Sequence, residues 1–280
     1  MCGRYVIVTE IKKIEKRFNV SAFDTKLYRP SFNVSHGDIA PIITQNDPKE
    51  LSFCQFGFTP HWAKKQYYQI NARSEGDKNK ENDPNYKGRK GIFDKPMFRK
   101  SIRSGRCLVV ADCFFEGPEK ERLNKPYAVY LKDDHPFTFA GIRDEWVNTD
   151  TGEVVNSFAI ITAPRNALME KIGHHRSPVI IPEEHRNVWL DPKSDVAVIS
   201  ELMRPFPAEL MNAYPVSSEI KNPSSNGREL LDPIGERIDA EYDIEVLRTI
   251  KLEGMGRKLP NERRADNGAE GGSEQLGLFD

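Results

Sequence analysis

Hydrophobic and polar positions along the chain predict a strand-rich α+β fold. Short β-branched and aromatic runs alternate with Pro, Gly, Asp and Asn turns, which is typical of β-strands. The predicted strands are RYVIV, IAPIIT, LSFCQFGF, CLVVADCFF, PYAVYL, FTFAGI and NSFAIIT. Because they follow one another instead of alternating with long helices, a doubly wound parallel sheet is disfavoured. We predict a single main domain with a largely antiparallel, barrel-like sheet and peripheral helices.

Helical spacing occurs in a few short stretches. In TEIKKIEKRF, Ile11, Ile14 and Phe18 recur at three and four residues and share one helix face. PRNALMEKI and PEEHRNVWL each have a proline suited to a first helical turn, and SDVAVISELM predicts another helix. These helices are too short and too few to cover both faces of a sheet.

Polar stretches divide the chain into a domain and its extensions. We assign residues 1–240 to the main domain, with a polar surface loop at about residues 76–94. Residues 241–253 form a C-terminal extension. Residues 254–280 are Gly-rich and polar, which predicts a disordered tail.

Composition excludes several classes of protein. The net charge is −1, and the chain has no run of eighteen apolar residues and no signal peptide. Its four cysteines have no spacing suited to zinc or redox chemistry. We expect a cytoplasmic protein that uses no metal, cofactor or membrane.

Positive charge is concentrated in one region. Residues 61–110 contain thirteen Lys and Arg against five Asp and Glu, with aromatic residues such as Trp62 among them. This mixture suits phosphate contacts beside base-stacking rings. An ordinary solvated loop is the alternative.

Cys2 becomes the amino terminus if Met1 is removed. A terminal cysteine carries an α-amine and a thiol on adjacent carbons, so it can condense with an aldehyde into a five-membered thiazolidine. The alternative is a small residue that begins a strand.

Three further polar residues stand out from their surroundings. Asn71 lies in INARSE, Glu116 follows CFF, and His174 lies in GHHRSP. A turn cap, a paired carboxylate and a core histidine are their respective structural alternatives.

Five motifs together carry a family resemblance. They are MCGRY, NARSE, KPMFRKSIRSGRCLVVADCFFE, HHRSPVII and YPVSSEIKNP. In order and approximate spacing they resemble the SRAP family, the SOS-response-associated peptidases, up to about Asp232. The resemblance implies a sensor of abasic sites in single-stranded DNA. It also implies that the mature terminal cysteine crosslinks to the ring-opened sugar and protects the strand from cleavage.

The resemblance gives each polar residue a role. Cys2 matches the crosslinking nucleophile, and Asn71 orients the terminus or the sugar. Glu116 moves protons at the amine, and His174 serves ring opening. The phosphate-holding positions of the family are matched by Arg4, Arg73 and Arg176. Weak lyase activity and self-removal of Met1 are also implied.

Three departures from the family pattern are visible. Gly117 stands where an aromatic residue is usual, and His175 replaces the acidic residue of H-D-R-M-P. His174 therefore needs another orienting partner. The loop at residues 76–94 is longer than the usual link.

Other functions are also compatible with this sequence. Cys2 and His174 could form a cysteine peptidase, or the chain could be a non-catalytic module that binds single-stranded DNA. A metal hydrolase built on the adjacent His174 and His175 is disfavoured, because neighbouring side chains point apart on a helix or strand.

The last residues carry a second resemblance. The segment Gln275, Leu276, Gly277, Leu278 and Phe279 is similar to the Q-L-x-L-F peptide with which bacterial polymerases and repair proteins bind the sliding clamp. On a flexible tether such a peptide would recruit the domain to replication forks, hence to the nucleoid.

Overall fold

The structure is a computed structural model that describes residues 2–132 and 136–241. The predicted tail 254–280, its peptide 275–279 and nearly all of the extension 241–253 lie outside the described residues. Within the described ranges, no helix has the length and apolar character needed to cross a membrane.

Strands dominate the described part of the chain. The strands are β1 Tyr5–Ile7, β2 Ser31–Val34, β3 Ile39–Thr44, β4 Leu51–Phe56, β5 Asn71–Arg73, β6 Arg106–Ala111, β7 Cys113–Glu116, β8 Tyr127–Leu131, β9 Phe137–Val147, β10 Val154–Pro164, β11 Arg176–Pro178 and β12 Met211–Pro215. The α-helices are α1 Ile11–Phe18, α2 Ser101–Ser104, α3 Ala167–Ile172, α4 Arg186–Leu190 and α5 Val196–Leu202.

Five strands close into a barrel in the order β10, β4, β3, β6, β9 and back to β10. Strands β5 and β11 extend it along β10. The predicted barrel-like, mostly antiparallel architecture is confirmed. The pairings of β10 with β4 and with β5 are parallel, which strand pattern alone does not predict.

A second, antiparallel sheet has the order β12, β8, β7, β1, β2. The predicted strand CLVVADCFF is in fact two strands, β6 in the barrel and β7 in this sheet. Asp112 lies between them, and its carboxylate accepts hydrogen bonds from the backbone N–H groups of Val8 and Thr9 at 2.6 and 2.9 Å. Tyr5 pairs with Phe114, so β7 runs beside the start of the chain.

Aromatic side chains fill the interior. The Tyr5 ring meets Phe56 and Phe139 edge to face, with centroids 5.6 and 6.1 Å apart. Phe56 and Phe158 stack at 5.2 Å. Because such rings are fully buried, the barrel is a packed core.

The predicted helices form, with one difference. In PRNALMEKI, Pro164 ends β10 and does not begin the helix. Asn166 caps α3 instead, accepting a hydrogen bond from Met169 N at 2.9 Å.

Candidate active site

Four predicted site residues come together at the start of the chain. Cys2 precedes β1, Asn71 opens β5, Glu116 ends β7 and His174 follows α3. Their exposed fractions are 1, 3, 3 and 5 % respectively. We call these four residues the active-site cluster. Four buried polar residues from distant segments need a reason to be there, since burial of polar groups is costly.

Asn71 is tied to the nucleophile. Parallel pairing with Ile160 fixes its backbone, and its Nδ2 donates to the carbonyl oxygen of Cys2 at 2.9 Å. Its Oδ1 is buried and accepts no hydrogen bond within the described part of the chain. The amide therefore holds the terminus with one atom and keeps an acceptor for an incoming donor.

The Cys2 thiol stays protonated at neutral pH. Burial raises its pKa well above the ordinary value, and the nearby Glu116 charge raises it further. A buried thiol of this kind carries its proton into a reaction, unlike the exposed thiolates of electropositive sites.

The backbone positions the His174 ring. Gly173 ends α3 with φ of 81°, and His174 N donates back to Met169 O at 2.8 Å. The ring's Nδ1 lies 2.8 Å from the carbonyl oxygen of Gly117. That oxygen can only accept, so Nδ1 carries the proton. The Gly117 carbonyl thus supplies the orienting partner that the sequence left open.

His174 and Glu116 lie close enough to exchange a proton. His174 Nε2 lies 3.3 Å from Glu116 Oε2. With Nδ1 protonated, a favourable contact at Nε2 needs one proton between the two groups. Burial lowers the pKa of His174 to about 4 and raises the pKa of Glu116. Both shifts disfavour the charged forms of this buried pair.

Gly117 is required by packing. A Cβ at this position would lie 1.9 Å from the carbonyl oxygen of Arg122. The turn after β7 therefore occupies the space of the side chain that the family usually has here. Any stacking by that side chain is absent from this chain.

The expectation that His174 and His175 point apart is wrong. Their ring centroids are 4.9 Å apart, because the two residues lie in the turn after α3 and not on a helix or strand. Even so, the described residues contain no group of three or more His, Cys, Asp or Glu side chains placed to hold a metal ion.

The predicted phosphate-binding arginines all have protein partners. Arg176 is 1 % exposed and forms a bidentate pair with Glu75, at 2.7 and 2.9 Å. Arg4 donates to Asn33 Oδ1 and to the carbonyl oxygen of Lys221. Phosphate contact through these guanidinium groups stays a prediction.

The loop at residues 76–94 reaches this region. Arg73 donates to the carbonyl oxygen of Asn79 and to Asn82 Oδ1, and Asn79 Nδ2 donates to Glu75 Oε1. We call Arg73, Glu75, Asn79 and Arg176 the ion-pair cluster. The loop is thus partly buried, although its composition predicts a surface loop.

Sequence reasoning missed Glu75 and the Gly117 carbonyl. The only available signal for Glu75 was an acidic residue two positions after Arg73 in a segment that precedes a polar loop. No sequence signal identifies a backbone carbonyl as a functional partner.

Trp62 lies in the loop between β4 and β5. It is 50 % exposed and lines an open cavity of about 500 Å³. The other residues around that cavity are His61, Pro96, Met97, Arg99, Lys100 and Asp144. Two cations and an exposed indole make this surface compatible with a nucleic acid strand.

Proteins similar to this chain include several abasic site processing proteins. The chain is 36% identical over 239 residues to the abasic site processing protein YoqW of Bacillus subtilis. The aligned residues cover 83% of this chain and 99% of that protein. It is 25% identical to the abasic site processing protein HMCES of Xenopus tropicalis, over 75% of this chain and 68% of that protein.

Solved structures show the same fold. A crystal structure of a protein from Bacteroides thetaiotaomicron superposes with a TM-score of 0.69 at 28% sequence identity, covering 80% of this chain and 97% of that one. The family described as SOS response associated peptidase (SRAP) matches residues 1–223. This chain is a member of the SRAP family.

Proposed function

We propose that this protein captures abasic sites in single-stranded DNA by a covalent crosslink through Cys2, after loss of Met1. The observation that carries the proposal is the active-site cluster. It brings together Cys2, an orienting amide and a carboxyl–imidazole contact of 3.3 Å. The relatives' names, abasic site processing proteins, support the substrate class.

The crosslink forms in two steps, a condensation and then an addition. The α-amine of Cys2 attacks the C1′ aldehyde of the ring-opened sugar, giving a carbinolamine that loses water to become an imine. The thiol then adds to the imine carbon, and its proton passes to the nitrogen. The product is a thiazolidine, and the overall change is loss of one water molecule. Without a free imine, β-elimination of the strand is suppressed.

The neighbouring groups have complementary tasks. His174, uncharged above about pH 4, accepts the hydroxyl proton that opens the cyclic sugar. Glu116 takes a proton from the attacking ammonium and returns it to the carbinolamine hydroxyl as water leaves. Asn71 fixes the terminus, and its buried Oδ1 accepts a donor from the bound sugar.

Exposed groups would hold the strand around the lesion. Trp62 is placed to stack on a base, and Arg73 remains a candidate for a phosphate once DNA competes with Asn82 for its guanidinium. Arg4 and Arg176 are weaker candidates for phosphate contacts, because both already donate hydrogen bonds to protein acceptors.

Intact mass under denaturing conditions tests the proposal. We expect protein lacking Met1 to gain the mass of an abasic oligonucleotide minus one water molecule. Cys2→Ala abolishes this stable adduct while non-covalent binding persists. Cys2→Ser gives at most an imine that borohydride traps. A stable, heat-resistant adduct with Cys2→Ala rejects the proposal, and absence of any adduct favours a peptidase or a simple binding module.

The terminal peptide 275–279 lies outside the described residues, and its sequence alone supports clamp binding. We propose that Gln275 supplies hydrogen bonds while Leu276, Leu278 and Phe279 fill an apolar pocket on the sliding clamp. Titration of a labelled EQLGLFD peptide with the clamp of the same organism tests this. A Leu278→Ala, Phe279→Ala peptide is the control, and equal binding by the two peptides rejects the idea.

A further inference from the structure

His175 lies beside the active-site cluster and has a partly exposed side chain. Its ring centroid is 4.9 Å from that of His174, and the two ring planes are tilted by 33°. The His175 side chain is 25 % exposed, whereas the side chains of His174 and Glu116 are 5 and 4 % exposed. Of these three titratable groups, His175 is therefore the one with ready access to water.

Two turns hold His175 in this position. Glu119 N donates to Gly173 O at 3.0 Å, which fastens the turn after β7 to the turn after α3. Between the same two turns, His174 Nδ1 meets the Gly117 carbonyl, and His175 Nδ1 lies 3.5 Å from Glu119 Oε1. The Glu119 side chain is exposed, so it approaches the ring from the solvent side. The backbone thus keeps one histidine ring inside and the other at the surface.

The surroundings leave the His175 imidazole uncharged at neutral pH. Burial lowers its pKa from the ordinary value and the neighbouring His174 lowers it further, against the opposing charge of Glu119. Glu116 and Arg176 also lie within electrostatic reach of this ring. With Nδ1 turned towards a carboxylate, the ring carries its proton there and keeps Nε2 as an acceptor. Such a ring can accept a proton at one nitrogen and release one from the other.

The proposed crosslink produces one proton. Near neutral pH the α-amine of Cys2 is largely an ammonium group, whereas the thiazolidine nitrogen is uncharged. Ammonium, thiol and aldehyde therefore give thiazolidine, one water molecule and one proton. Glu116 and His174 move protons within the site, but both are buried, and the two nitrogens of His174 face the Gly117 carbonyl and Glu116. The proton that is left over needs a route to solvent.

We propose that His175 carries this proton from the His174–Glu116 pair to solvent. The proton passes to the unprotonated nitrogen of His175, directly or through one water molecule, and the other nitrogen releases a proton to bulk water. His175 acts through the buried pair and does not touch the sugar, so it is a relay residue and not a catalytic one. This inference rests on the proposed function.

The buffer dependence of crosslinking tests the relay. Single-turnover rates are measured at saturating abasic oligonucleotide, in weakly buffered solution near neutral pH. His175→Gln keeps a polar side chain that cannot carry a proton. It should crosslink about 10- to 100-fold more slowly than native protein, up to the lower end of the usual loss for a proton-transferring group. Added imidazole should restore most of the rate by replacing the missing ring, whereas sodium chloride of equal ionic strength should not.

His185→Gln is the matched control, because His185 is another partly exposed histidine, in a short helical turn outside both clusters. It should crosslink at the native rate with or without imidazole. Equal rates of native protein and His175→Gln in weak buffer overturn the inference. A slow His175→Gln that imidazole does not accelerate also overturns it, because that loss would be structural. Failure of native protein to form any adduct rejects the proposed function itself, and the relay with it.

Discussion

The active-site cluster and the ion-pair cluster share two segments of the chain, yet they differ in kind. NARSE gives Asn71 to one and Glu75 to the other, and the segment after α3 gives His174 to one and Arg176 to the other. In the ion-pair cluster the Glu75 carboxylate is saturated by Arg176, Ser74 and Asn79. In the active-site cluster, Asn71 Oδ1 accepts no hydrogen bond from the described residues, and His174 Nε2 lies 3.3 Å from Glu116 Oε2.

The electrostatics follow the same division. Although burial opposes it, the hydrogen bond and charge of Arg176 hold the pKa of Glu75 below its ordinary value. Glu116 is buried beside a neutral imidazole, so its pKa rises. A saturated, charged network stabilises one geometry, whereas a buried carboxyl–imidazole pair with shifted pKa values can give or take a proton. We therefore assign the ion-pair cluster to structure and the active-site cluster to chemistry.

Removing either partner of the His174–Glu116 pair should have the largest effect. We expect Glu116→Gln and His174→Gln each to slow crosslinking by roughly 10²–10⁴-fold, the usual loss for a general acid or base. Single-turnover rates at saturating DNA measure this. Glu119→Gln is the control, because Glu119 is exposed and contacts His175 at 3.5 Å. Native rates in both test variants would make the pair structural and remove the contrast between the clusters.

Breaking the ion pair should affect stability more than chemistry. Glu75→Ala leaves Arg176 buried without its carboxylate, which should cost about 3–5 kcal/mol of unfolding free energy. Urea unfolding measures the loss. The double variant Glu75→Ala, Arg176→Met should lose less than the sum of the two single variants. Strict additivity would show that the pair contributes no coupling, and the structural assignment would fail.

Acid should weaken the fold through His174. Its folded pKa of about 4 is below the ordinary 6.5, so the unfolded chain binds the proton first as pH falls. The stability it contributes is complete above about pH 6.5 and declines towards pH 4, by up to roughly 3 kcal/mol. Glu116 acts with the opposite sign, since its raised pKa makes ionisation at higher pH destabilising. Unfolding measured from pH 7 to 4 should show a smaller decline for His174→Gln, and equal declines would contradict the burial of a neutral imidazole.

The sequence predicted the individual strands and helices better than the contacts between them. Local apolar runs specify strands, so β3, β8 and α1 were predicted nearly to their ends. The break at Asp112 was not predictable, because it depends on backbone N–H groups of Val8 and Thr9, more than a hundred residues away. Cys2, Asn71, Glu116 and His174 were recognised through motifs, but their pairing depends on the sheet register. The carbonyl of Gly117 and the partner of Arg176 follow from tertiary packing alone.

The smallest effect is expected for a substitution at Gly117. Alanine here would place a Cβ 1.9 Å from the carbonyl oxygen of Arg122, so the turn after β7 must shift. Such overpacking should cost about 1–3 kcal/mol of unfolding free energy. Gly227→Ala is a suitable control, because the atoms nearest its Cβ would be the flexible end of the Glu229 side chain, which can rotate away.

The same shift should also slow crosslinking, because the Gly117 carbonyl holds the proton on His174 Nδ1 and so leaves Nε2 for Glu116. We expect the rate of Gly117→Ala to fall by roughly tenfold or more at a denaturant concentration where it remains folded, the scale of about one lost hydrogen bond at a buried group. A destabilised variant that crosslinks at the native rate would show that the carbonyl does not orient the imidazole. The turn after β7 would then have a structural role, like the ion-pair cluster. Another group would have to orient His174 towards Glu116.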